Sequence, residues 1–286
     1  MKSHLKLIRI HHSMKNILIF FPIIFSGNLI NMSLLVRNAF GFLAFSLVSS
    51  VVYIFNDIHD VESDRRHPTK RNRPIASGAV SVKSARYLAA FLLVVSIFAV
   101  FFTRSLLSSL FIVIYLFINV LYSKCFKNIP ILDISILVLG FLLRVIYGSA
   151  ISGIEISNWL YLTVMSLSFY MGFGKRRNEL NRSKDDSRRV LKFYNRDFLD
   201  KNMYMCLTLT IMFYSLWCVD SVTIQRISSG NLVWTVPFVI LICMKYSLII
   251  EGNSDGDPVE VILADKILLG LCLIYAAVTY ALIYIF

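Results

Sequence analysis

Residues 56–74 read NDIHDVESDRRHPTKRNRP and follow directly on the apolar run SLVSSVVYIF at 46–55. Four carboxylates and five lysines and arginines crowd this stretch, in a chain of 286 residues that is 57% hydrophobic and only 16% charged. Soluble domains carry roughly 45–50% apolar and about 25% charged residues. With a mean hydropathy of +0.69, this chain cannot hide its apolar side chains in one water-soluble core. The composition predicts a polytopic all-α membrane protein, and a charged block at the end of an apolar segment then marks a polar mouth at the membrane surface.

Working outward, a helix needs about 20 apolar residues to cross the hydrocarbon. Apolar runs lie near 17–35, 38–55, 85–103, 106–122, 131–152, 157–174, 203–222, 231–250 and 266–286, which predicts nine spans in a single domain, 1–286. The first run lacks a small-residue cleavage site and is read as a span rather than a cleaved signal. Between spans the longest polar connection is 175–202, whose LKFY and DFL pieces suit a short amphipathic surface helix. With these spans, 25 of the 29 lysines and arginines fall on the side of the N-terminus. The positive-inside rule puts that side in the cytoplasm and the C-terminus outside. Basic loops also follow from topology and anionic-lipid contact alone. No nucleic-acid recognition fold accompanies the net charge of +12. The five cysteines are scattered and form neither a CxxC nor a Cys/His pair, so no zinc site or disulfide framework is expected.

On a helix, Asp57, Asp60 and Asp64 stand at i, i+3 and i+7 and share one face, with Asn56 one turn before Asp60. Such carboxylates repel unless neutralised. Mg²⁺ prefers oxygen ligands and is commonly shared between one or two carboxylates and a substrate phosphate. A solvated helix end paired with Arg65 and Arg66 explains the charge but not the spacing. Pro68 and Pro74 interrupt the helix, leaving a loop that can fold Lys70, Arg71 and Arg73 back over the aspartates. Arginine forks and lysine charges suit phosphate oxygens. Acid, metal and base together make a diphosphate site.

The pattern NDxxDxxxD at the end of the second predicted span resembles the first aspartate motif of the UbiA superfamily of intramembrane prenyltransferases. The continuation DRRHPTKRNRPIASG resembles one branch of it, the polyprenyl-phosphate (decaprenyl-phosphate) phosphoribosyltransferases. MKNILIFFP (14–22), LYSKCFKNIPILD (121–133), GFLLRVIYG (140–148), GKRRNEL (174–180), RRVLKFY (188–194) and GDPVEVILADK (256–266) extend the resemblance along most of the chain. A second DxxxD pair, common in aromatic prenyltransferases, is absent after Asp133. The resemblance implies a nine-helix UbiA-like bundle with cytoplasmic polar loops over a central cavity. It also implies Mg²⁺ as cofactor, phosphoribosyl diphosphate (PRPP) as donor and a polyprenyl phosphate, decaprenyl or undecaprenyl, as acceptor. Lys15 and Asn16 match its N-terminal segment, and Lys175, Arg176 and Glu179 match substrate-contacting positions.

Other residues leave alternatives open. Asp133 and Arg144, eleven apart, fall within about 20° on one helix, with Tyr147 near the same stripe. Intramembrane charges normally face a bundle interior or cavity, so Asp133 is expected near the metal or diphosphate and Arg144 deeper. A buried structural role competes. Tyr122 and Lys127 suit either substrate contact or interfacial anchoring. Asp257, Pro258 and Glu260 read as a helix start. His4, His11 and His12 are expected at the lipid surface.

The expected activity is transfer of 5-phosphoribosyl from PRPP to a polyprenyl phosphate in a bacterial cell membrane, for cell-envelope pentose or arabinose glycan synthesis. The expected partners are these two substrates and the membrane, with a homo-oligomer allowed. An aromatic prenyltransferase using a polyprenyl diphosphate is the alternative enzyme. A transporter is the non-enzymatic one, although only Asp133, Arg144 and Asp220 read as intramembrane charges.

Overall fold

A computed structural model describes residues 2–67, 70–182, 189–252 and 257–285, and among them every regular element is helical. In chain order, α1 (Lys2–Ile8) is followed by tight 3-10 turns over Ile10–Phe20 and by α2 (Phe21–Ile24). Then come α3 (Met32–His59), α4 (Val61–Arg66), α5 (Val82–Phe101), α6 (Leu106–Lys124), α7 (Leu132–Ser152) and α8 (Asn158–Arg182). The chain ends with α9 (Arg196–Val219), α10 (Ser221–Ile227), α11 (Val236–Glu251), α12 (Pro258–Ala264) and α13 (Lys266–Tyr284).

Seven helical segments are long and apolar enough to cross a membrane: α3, α5, α6, α7, α9, Asn231–Glu251 and α13. The chain is an integral membrane protein. Two of the nine expected spans are not among these seven. The run 17–35 is not one helix. Gly27 takes a left-handed backbone (φ 75°), and the Asn31 side chain caps α3 by accepting from Ser33 N (3.1 Å) and Leu34 N (3.3 Å). Residues 158–174 do lie in one helix, α8, but serines, threonines, tyrosines and glycines dilute its apolar character. The polar connection also shrinks. Residues 175–182 continue α8 and 196–202 open α9, while Arg189–Phe193 forms 3-10 turns with Val190 and Leu191 buried. No surface amphipathic helix is found there among the described residues.

The chain packs as two compact units. The first comprises Met1–Phe21, Asn31–Cys125 and Leu143–Gly153. In it α3 packs on α1, the 10–20 turns, α5 and α6. One cluster joins Phe45, Val48, Tyr115, Tyr147 and Ile151. Another joins Leu7, Ile54, Ile75, Val80, Ala85 and Leu92, and so fixes the N-terminal helix and the 74–80 turns against the end of α3. Gly148 lies so close to the 10–20 backbone that a Cβ there would stand 2.0 Å from the Ile19 carbonyl oxygen.

The second unit comprises Pro22–Ile30, Phe126–Leu142 and Ile154–Phe286. Here α8 pairs with α9, and Leu160, Tyr214, Trp217, Cys218, Leu232 and Ile283 form a buried cluster. Phe25 meets Trp217 edge-on at 5.2 Å, and the Tyr284 hydroxyl donates to the Ile24 carbonyl at 2.7 Å. Asp257 caps α12, accepting from Val259 N at 3.1 Å, with Pro258 at the first helical position, as the sequence suggests.

Candidate functional site

The carboxylate face is built at the end of α3. Asp60 ends that helix (φ −93°, ψ 9°) and α4 begins at the next residue. Helical hydrogen bonds nevertheless run on, from Asp60 N to the Asn56 carbonyl (2.9 Å) and from Asp64 N to the Asp60 carbonyl (2.8 Å). The face expected at i, i+3 and i+7 therefore bends at its middle member. Asp57 and Asp64 are both buried, at 3% exposure each, while Asp60 occupies the bend and is half-buried. Asn56 Oδ1 accepts from the Ser123 hydroxyl. Among the described residues no three His, Cys, Asp or Glu side chains form a metal-ligand group.

Two arginines hold the buried pair. Arg73 Nη1 donates to Asp64 Oδ2 at 2.7 Å and to Asp57 Oδ1 at 3.2 Å, so the loop does fold back over the aspartates. Arg9, absent from the expected set, donates from Nη2 to both oxygens of Asp57 at 2.6 and 2.8 Å. Its guanidinium also lies over the Tyr53 ring at 5.0 Å. Arg9 has a left-handed backbone (φ 52°, ψ 52°) at the junction of α1 with the 10–20 turns. That conformation costs about 1–2 kcal/mol for a residue with a Cβ, and hydrogen bonds to a charged group contribute about 1.5–3 kcal/mol each. The carboxylate contact outweighs the backbone strain. No short-range pattern announces Arg9, because its partner is 48 positions away.

Beside this pair lies a cavity of about 590 Å³ lined by Leu5, Lys6, Arg9, Ile10, His11, His12, Asp57, Arg73 and Pro74. His11 and His12, expected at the lipid surface, are part of its wall, with rings 4.4 Å apart. His4 is bonded to Ser84 Oγ at 3.0 Å. Lys70 is half-buried and Arg71 exposed, while Pro68 and Thr69 lie outside the described residues.

Arg144 and Asn16 form a second cluster in the same unit. Asn16 is fully buried, with Nδ2 donating to Ser46 Oγ (2.8 Å) and Oδ1 accepting from Arg144 Nε (2.7 Å). Arg144 also donates to the Tyr115 hydroxyl at 3.4 Å and lies over the Phe45 and Tyr115 rings at 4.9 and 5.2 Å. The Asn16 amide is thus spent on protein groups, and its part is to position Arg144. Lys15, Tyr122 and Lys127 are half-buried.

In the second unit, Asp133 is fully buried and accepts from Arg176 Nε and from the Tyr194 hydroxyl, each at 2.6 Å. Arg176 also reaches Glu179 at 2.7 Å. The Tyr194 hydroxyl accepts from Ile131 N at 2.6 Å. Burial, and then the bond to Asp133, push the Tyr194 phenol well above its ordinary range, so it stays a neutral donor. Lys175 approaches Asp257 at 3.7 Å, and Arg177 pairs with Asp200. Tyr194 and Asp200 are network members that sequence spacing does not reveal. Arg144 serves the first-unit cluster and Asp133 this one, although both lie on α7.

The chain matches the model of the UbiA prenyltransferase family over residues 19–264. It belongs to that family. Among its relatives is the decaprenyl-phosphate phosphoribosyltransferase of Corynebacterium glutamicum, 32% identical over 291 residues that cover 98% of this chain and 86% of that protein. The protein of the same name from Mycolicibacterium smegmatis is 35% identical over 255 residues, covering 85% and 79%. The UbiA family fold is also seen in a UbiA homolog from Archaeoglobus fulgidus bound to GPP and Mg²⁺. It has a TM-score of 0.73 and 18% identity, and covers 98% of this chain and 99% of that one. In this chain the NDxxDxxxD stretch sits where α3 gives way to the arginine-held carboxylates.

Proposed function

We propose that this protein transfers a 5-phosphoribosyl group from PRPP to a polyprenyl phosphate and releases diphosphate. The observation that carries the reading is the buried pair Asp57 and Asp64, held by Arg9 and Arg73 at the end of a membrane-spanning helix. Groups for a cation and groups for phosphate meet there. The decaprenyl-phosphate phosphoribosyltransferases that match most of the chain support this donor and acceptor.

The oxygen donors are of the type a hard divalent ion takes, and a bound ion would displace the contacts that Arg9, Arg73 and Ser123 make with them here. Asp57 and Asp64 fall within the reach of one Arg73 nitrogen, and Asn56 adds an amide oxygen on the same turn. Asp57, Asp60 and Asp64, with Asn56, would hold Mg²⁺, and the Mg²⁺-bound Archaeoglobus homolog supports that choice. When bound, the ion would neutralise charge on the departing diphosphate.

The chain's own groups supply the rest. Lys70, Arg71 and Arg73 hold donor phosphate oxygens, and Lys15 holds the acceptor phosphate. Arg144, set by Asn16, lends a buried positive charge. Tyr122 is a further substrate-binding residue that the motifs suggest in the first unit, and Lys127, Asp133, Lys175, Arg176 and Glu179 are those they suggest in the second. An acceptor phosphate oxygen bonds to C1 of the ribose as the bond from C1 to the diphosphate oxygen breaks, with inversion at C1. The acceptor is already an anion, so no general base or covalent nucleophile is required. Holding a soluble sugar phosphate and a lipid phosphate together at the membrane edge gives the positional advantage.

The side carrying most lysines and arginines is placed in the cytoplasm of a bacterial cell membrane. The product would feed pentose or arabinose transfer in the cell envelope.

Two substrate pairs test the reading. Purified protein with Mg²⁺ receives labelled PRPP plus decaprenyl phosphate, or a polyprenyl diphosphate plus 4-hydroxybenzoate. A labelled phosphoribosyl lipid from the first pair alone is expected. Prenylated hydroxybenzoate instead would establish the aromatic prenyltransferase.

A further inference from the structure

The roles above leave the N-terminal wall of the cavity beside Asp57 without a task. Lys6, Arg9, His11 and His12 form it, and Arg73, already given to the donor phosphates, lies with Asp57 in the same lining. With Asp64, which Arg73 also meets, three cations face two carboxylates, and a surplus of positive charge remains in a space large enough for a small ligand.

Both guanidiniums are tethered in the same manner. Arg9 makes its two bonds to Asp57 through Nη2 alone, and Arg73 makes its bonds to Asp57 and Asp64 through Nη1 alone. A guanidinium carries five N–H donors. Among the described residues, Nε and Nη1 of Arg9 and Nε and Nη2 of Arg73 carry no hydrogen bond. The buried aspartates therefore fix two arginine forks by one nitrogen each, and the Tyr53 ring steadies the first. The remaining donors are ordered before a ligand arrives, which reduces the entropy lost on binding. Arg9 and Arg73 keep 20% and 31% of their side chains exposed, so a ligand can reach them.

We propose that this cavity is a phosphate-monoester subsite, with Arg9 and Lys6 as anion-binding residues. A diphosphate is served by carboxylates sharing a divalent ion. A monoester dianion instead suits guanidinium and ammonium donors that need no metal. The proposal rests on the transferase reading and deepens it, because both substrates of that reaction carry such a group: the ribose 5-phosphate of the donor and the lipid phosphate of the acceptor.

The test is direct binding, without turnover. The full chain, purified in detergent with EDTA, is titrated calorimetrically with ribose 5-phosphate and separately with farnesyl phosphate. The wild-type protein is expected to bind one of them saturably. Lys6→Ala and Arg9→Lys should each weaken it by about tenfold or more, the effect of one charge-assisted hydrogen bond. Lys83→Ala removes an exposed cation outside the cavity and should leave binding unchanged. Loss with ribose 5-phosphate assigns the subsite to the donor, and loss with farnesyl phosphate assigns it to the acceptor; either supports it. Lys6 is exposed, so Lys6→Ala carries the test if Arg9→Lys fails to fold. No saturable binding of either phosphate overturns the proposal, as does equal weakening by Lys83→Ala or unchanged affinity in the cavity variants. A separate transfer assay on the same preparation keeps the two ideas apart: absence of transfer removes the transferase reading, while the titration alone decides the subsite.

Discussion

Arg9 clasps both carboxylate oxygens of Asp57, at 2.6 and 2.8 Å, across 48 positions of sequence. The contact ties the N-terminal helix to the end of α3, where the NDxxDxxxD motif turns into α4. Asp57 is 3% exposed and Arg9 20%, so water screens the pair only in part. The two residues should be energetically coupled. In a double-mutant cycle of Arg9→Met and Asp57→Asn, followed by thermal unfolding in detergent, a coupling of about 1.5–3 kcal/mol is expected. Additive effects would show the pair to be incidental.

Asn16 spends its amide on Ser46 and Arg144. Asn16→Ala should therefore destabilise the protein by about 1–3 kcal/mol, because the Arg144 Nε–H loses its acceptor in a buried place. Thermal unfolding reads this directly. An unchanged midpoint would mean that Arg144 is satisfied otherwise.

Gly148 cannot carry a side chain without moving the 10–20 backbone, since its Cβ would stand 2.0 Å from the Ile19 oxygen. Gly148→Ala is expected to cost about 1–3 kcal/mol through forced backbone shifts, and to lower the yield of folded protein on gel filtration. Normal yield and melting would contradict the close approach.

Much of this was legible in the sequence, and the limits have physical causes. The apolar runs mark α3, α5, α6, α7, α9, α11 and α13 because the bilayer demands length and apolarity from each segment alone. The run at 17–35 is interrupted where apolarity gives no warning, at the left-handed turn of Gly27 and the Asn31 cap. The spacing of Asp57, Asp60 and Asp64 correctly marks one helix end, but not the bend at Asp60. Arg9, Tyr194 and Asp200 escaped because each meets its partner through tertiary packing, over separations of 48, 61 and 23 residues. The place of His11 and His12 in the wall of the cavity beside Asp57 is likewise set by the fold and not by their spacing.

Tyr194 joins Ile131 N to Asp133 through one hydroxyl. Tyr194→Phe removes both bonds and should cost about 1–3 kcal/mol. The pH dependence has a definite sign. The folded pKa lies above the unfolded value of about 10, so the contribution is full below pH 10 or so and is lost only as pH rises through the folded pKa. The gap in stability between wild type and Tyr194→Phe should thus stay constant between about pH 6 and 9. A gap that shrinks within that window would place the phenol's titration there instead.

The central claim, that the carboxylates at the end of α3 drive phosphoribosyl transfer, is tested most directly at Asp60, the half-buried middle member of the motif at the bend between α3 and α4. The initial rate of labelled phosphoribosyl transfer from PRPP to decaprenyl phosphate is measured against Mg²⁺ concentration for wild type and Asp60→Asn, with circular dichroism on both. The account predicts a Mg²⁺-dependent wild-type rate and a loss of about 10²–10³-fold or more in the variant, at unchanged helix content. Near-normal turnover by folded Asp60→Asn would contradict it.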